Sequence, residues 1–146
     1  MYTTTSETYN VASKVMTFAG GTTNDPGDHD GTGDPATLFT VTGVVAMKIF
    51  AVCTVDLAGA SAIIEVGTAK STATLIAQST ATDLDANEIW HDATPDNSAE
   101  AVTIAPEKYV CQNVIQTVGT ANITSGSLTY YCQWRPISVG AKVVAA

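Results

Sequence analysis

Basic residues are scarce in this chain: six Lys and Arg stand against 14 Asp and Glu, a formal net charge of −8. Nucleic-acid binding draws its affinity from Lys and Arg that neutralise phosphates, and adhesion to an anionic membrane needs a polybasic patch. The charge balance argues against both. Charge of either sign is thin, at 14 % of residues where about a quarter is usual. Long apolar runs are missing as well. The best stretch, GVVAMKIFAVCTV at 43–55, is interrupted by Lys48 and falls short of the roughly 18 residues of a membrane-spanning helix. MYTTTSETYN has neither a basic start nor an apolar block, so no secretory signal is expected. Histidine occurs only as His29 and His91. Cys53, Cys111 and Cys132 lie far apart and form no CxxC pair, which disfavours a zinc site. An odd count without a signal reads as reduced thiols acting as small apolar residues.

What the chain has in abundance is Thr, Ala, Val, Gly and Ser, the material of strands and tight turns. Its 146 residues suit one domain. Strands are expected at 13–19, 37–57, 61–68, 71–79, 88–93, 108–118 and 127–137. Over 45–55 the period of two places Val45, Met47, Ile49, Ala51, Cys53 and Val55 on one face. Phe50 and Val52 stand on the other face with Lys48, so that face also should be partly covered. Over 128–135, Leu128, Tyr130, Cys132 and Trp134 form the core face, opposite Thr129, Tyr131, Gln133 and Arg135. No apolar stripe of helical period lasts three turns. The expected fold is all-β: one antiparallel β-sandwich or jelly-roll-like domain over 13–138 without a long helix. An extended arm at 1–12 precedes it and a tail at 139–146 follows. EVGTAKSTATLIA at 65–77 and TVGTANITSGSLTY at 117–130 share a VGTA run and read as two similar hairpins, with Asn122 and Gly126 at turn positions.

Candidate chemistry is sparse. His91 in IWHDA lies beside Asp92, but no G-x-S-x-G or comparable nucleophile context accompanies it. Asp83 and Asp85 in TDLDANE read as solvated acids ending a strand, because glycoside hydrolysis needs its carboxylates on facing elements. GGTTNDPG lacks the lysine and the following helix of a phosphate loop. The loop at 20–36 is the one metal candidate. It gathers Asp25, Asp28, Asp30 and Asp34, and calcium takes six to eight oxygens from flexible, acidic, glycine-bent loops. The alternatives are a mobile, solvated acidic loop and a loop that docks against a basic patch. No other cofactor is expected, and the chain reads as non-enzymatic.

Three segments carry a resemblance: LFTVTGVVAMKIFAVCTVDLAGASAIIEVGTA, LIAQSTATDLDANEIWHD and VGTANITSGSLTYYCQWRPIS. Together they span about residues 37–138 and resemble small structural proteins of tailed-bacteriophage heads, the capsid decoration or cement proteins. The resemblance implies a trimeric or otherwise clustered β-sandwich on the outer surface of a virion, made in the host cytoplasm. Its partner would be the major capsid protein, whose neighbouring subunits it would clamp. The arm at 1–12 would then add a strand to a capsid edge. The second reading is a receptor- or carbohydrate-binding module of a tail fibre or spike, with Trp90, Tyr109, Tyr130, Tyr131 and Trp134 as candidate stacking platforms.

Overall fold

A computed structural model describes residues 9–21, 23–97, 99 and 107–146. Residues 1–8 of the expected arm lie outside them. Among the described residues eleven strands form two antiparallel sheets that pack as a β-sandwich in a single domain. The first sheet has β1 (Asn10–Phe18), β10 (Ser125–Pro136), β3 (Val45–Ala58), β6 (Glu88–Trp90) and β7 (Asp96–Asn97) in that order, with β8 (Lys108–Val110) also paired to β3. The second runs β11 (Lys142–Ala145), β2 (Ala36–Thr42), β9 (Val114–Gly119), β4 (Ile63–Thr68) and β5 (Ser71–Thr80). The helical element among the described residues is one 3-10 turn at Ala81–Asp83.

The period-two pattern is what builds the core. Val45, Met47, Ile49, Ala51 and Cys53 of β3 are buried, as are Leu128, Tyr130 and Cys132 of β10. They meet Ile64 and Val66 of β4, Ile76 of β5, and Val114 and Val118 of β9 from the other sheet. Fully burying one such side chain contributes about 1.5–3 kcal/mol. Trp90 and Tyr130 pack with ring centroids 6.4 Å apart at 57°, a tilted arrangement that suits the ring quadrupoles. Trp134 is only partly buried and lies against the edge of this cluster.

Several boundaries differ from those expected. Asn10, Val11 and Ala12 belong to β1 rather than to an arm, because they continue its ladder opposite Trp134, Gln133 and Cys132. The run at 37–57 divides at Gly43 into strands of opposite sheets. Gly43 has φ +69°, and a Cβ there would stand 2.5 Å from Ser138 Oγ, the oxygen that accepts the Val44 N–H. The run at 108–118 likewise divides: β8 pairs with β3, whereas β9 pairs with β2 and β4. Asn113 marks the crossing, with Oδ1 accepting the Val41 N–H at 3.0 Å. Of the two expected hairpins, 65–77 is one, formed by β4 and β5. The other, 117–130, joins opposite sheets. Its connection buries Ile123 and is held by the Ile123 N–H on Gly27 O and the Thr124 N–H on Ala58 O. Val55 faces outward at 56 % exposure, because two register shifts between β10 and β3 fall on either side of its pairing with Ser127. The expected tail supplies β11, whose Val143 is buried.

Candidate functional site

Among the described residues the acidic loop does not turn its carboxylates toward one point. Asp25 is buried, and its carboxylate accepts three backbone N–H groups: Ala19 at 2.6 Å, Gly20 at 2.8 Å and Gly27 at 2.8 Å. Asp34 Oδ1 accepts the Val118 N–H at 2.9 Å. Burial raises the Asp34 pKa, and that bond opposes the rise. Asp30 stays exposed, 3.1 Å from His29 Nε2. Asp28 contributes backbone bonds at a turn, its N–H to Asp25 O and its carbonyl to Gly31 N–H. Among the described residues no three His, Cys, Asp or Glu side chains gather into a group able to hold a metal ion. Of the four candidate ligands, Asp25 and Asp34 are bonded to the backbone. Nor is the loop simply solvated: Gln116 Nε2 donates to Pro26 O, and His29 meets Asn122 Oδ1 through both its N–H and its ring Nδ1.

The other candidates lie outside the acidic loop. His91 Nδ1 stands 4.0 Å from Asp92 Oδ2. The buried hydroxyl of Ser79 accepts the Trp90 indole N–H at 2.8 Å and lies within bonding distance of the Asp92 and Ala93 carbonyls. It is thereby engaged as a bridge between β5 and the segment after β6. Asp83 and Asp85 are exposed on either side of buried Leu84. Of the five candidate stacking aromatics, Trp90 and Tyr130 are fully buried, Trp134 and Tyr131 are partly buried, and Tyr109 is 73 % exposed.

The outward face of the first sheet carries Phe50, Val52, Lys48, Tyr131 and Arg135, as their alternation predicts; its cross-strand neighbours are what single-strand reading could not supply. Its cross-strand rows follow from register. One row is Val15, Thr129, Val52, Ile89 and Asp96. The next is Ser13, Tyr131 and Phe50, followed by Val11, Gln133 and Lys48, then by Arg135, Ala46 and Tyr109. Phe50 and Tyr131 stack at 5.3 Å and 23°. Val11 and Val15 are 61 % and 59 % exposed. At one end Arg135 donates to Glu107 through Nε at 3.1 Å and Nη2 at 2.8 Å. The Tyr9 hydroxyl donates to the same carboxylate, and Lys48 Nζ sits 5.9 Å from the Tyr9 ring centroid. Hydrogen bonds from Arg135 and then from Tyr9 hold the Glu107 pKa down at about 2. Over these four rows together with Glu107, Lys48 and Arg135 stand against Asp96 and Glu107, two of each sign, so this part of the face is formally neutral on a chain of −8. No helix among the described residues is long and apolar enough to cross a membrane. No protein-family model, curated protein or solved structure matches the chain.

Proposed function

We propose that this chain is a non-enzymatic structural protein that assembles with copies of itself through the outward face of its first sheet and coats a larger lattice. The neutrality of that face carries the reading. Identical copies of a chain of −8 repel one another, so a contact between copies is least opposed where the local charge cancels. The four rows with Glu107 satisfy that condition and offer valines and a stacked aromatic pair for burial. The resemblance of residues 37–138 supplies the lattice. The assembly, a trimer in this reading, sits on the outside of a phage capsid and cements neighbouring major capsid subunits. A shell under internal pressure gains strength from many added contacts, each modest.

Tyr109 favours the receptor- or carbohydrate-binding reading, because an exposed ring is what a sugar stacks on. One experiment separates the two. Light scattering of the purified chain gives its copy number, and co-sedimentation tests binding to expanded, naked phage heads. A trimer that sediments with heads is the expected result. A monomer that ignores heads and binds a glycan array overturns the structural reading.

A further inference from the structure

A cavity of about 240 Å³ opens between the turn joining β4 to β5 and the segment from β8 toward β9. Leu75, Val110, Tyr109 and Cys111 give it an apolar wall. Lys70 and Lys108 stand on it too, and among the described residues no Asp or Glu lines this cavity. Lys108 Nζ donates to Thr74 O, which ties β8 across to β5 and leaves the ammonium two further protons to donate. Gln112, also on the wall, has a buried Oε1 with no hydrogen-bond partner among the described residues.

Size and chemistry together select the occupant. Small-molecule sites usually measure about 300–1,000 Å³, so this cavity suits a single anchor side chain better than a whole cofactor. Two ammonium groups on an otherwise acidic molecule favour a carboxylate beside that anchor. One apolar side chain with a carboxylate beside it is what a peptide segment presents. We propose that this cavity binds an acidic segment of a partner protein. An apolar or aromatic side chain fills it, and a neighbouring Asp or Glu carboxylate accepts from Lys70 and Lys108. The site does not depend on the chain forming oligomers through its outward sheet face.

The test is nuclear magnetic resonance titration of the isotope-labelled full chain with a blocked Asp-Phe-Asp tripeptide. Saturable shifts are expected at the amides of Ser71, Val110 and Cys111. The neutral Asn-Phe-Asn tripeptide should bind at least about tenfold more weakly, as should the Lys70→Gln, Lys108→Gln double variant, each loss reflecting charge-assisted bonds. The variant's unliganded spectrum, dispersed like that of the parent, shows that it folds. Alkylating Cys111 with a bulky maleimide should block the cavity. Equal binding of the neutral tripeptide overturns the proposal. So do shifts that fail to saturate, or that map to Val15 and Phe50 instead of the cavity.

Discussion

Side chains that look reactive in the sequence are mostly tied into the framework. Burial pushes the Cys53 thiol up to about 11 and the Cys132 thiol up to about 12, whereas Cys111 is exposed. The thiolate is the reacting form, so a disulfide reagent should titrate one thiol in the native chain and three after denaturation. Fast reaction of a second native thiol would place Cys53 or Cys132 at the surface. Tyr130 shows the same principle in a polar group. Its hydroxyl donates to Gln116 Oε1 at 2.8 Å, and the Gln116 amide in turn donates to Pro26 O in the acidic loop. Tyr130→Phe keeps the ring but strands a fully buried acceptor, which costs about 1–3 kcal/mol. Urea unfolding should show that loss as a lower midpoint with an unchanged slope. No change would mean that water reaches Gln116.

At the scale of elements, the charged cluster formed by Arg135, Glu107, Tyr9 and Lys48 ties β10 to the residue just before β8 and to the residue just before β1. Glu107 is held at about 2 in the folded chain, below its ordinary 4.5. A depressed carboxylate stabilises the fold above its unfolded pKa, and that stability fades as pH falls from about 4.5 toward about 2. Arg135 and Glu107 are both partly solvent-exposed, so the effect is modest. Melting the parent and Arg135→Gln side by side across that window checks it. The difference between them should shrink as the pH drops, whereas a constant difference would mean that the pair does not couple to folding.

For the whole molecule, charge placement matters more than charge total. The acidic loop holds four carboxylates at one place, the first sheet's outward rows cancel to zero once Glu107 on Arg135 is counted with them, and two lysines share a cavity that no described acid lines. Val15 stands at the β1 end of the row that continues through Thr129, Val52 and Ile89, and is 59 % exposed. Val15→Glu puts a charge on the neutral face without touching the core. It should dissociate the oligomer to monomers in light scattering while leaving the monomer's circular dichroism unchanged. An oligomer that survives the substitution would move the subunit contact elsewhere.

Local pattern made the strands and the all-β class readable, because which way a residue points along a strand depends only on its neighbours. Leu128, Tyr130 and Cys132 point inward as their alternation requires. The pattern carries no information on which sheet a strand joins. That was decided at Gly43, at 111–113 and at 120–124, where the chain passes from one sheet to the other and partners far along the chain complete the turn. The acidic loop had the composition of a cation site, but Asp25 and Asp34 found backbone N–H groups that only the closed sandwich presents. Both proposed contact surfaces are products of register and closure. Val15, Thr129, Val52 and Ile89 become one row, and Lys70 meets Lys108, only once strands distant in the chain lie side by side.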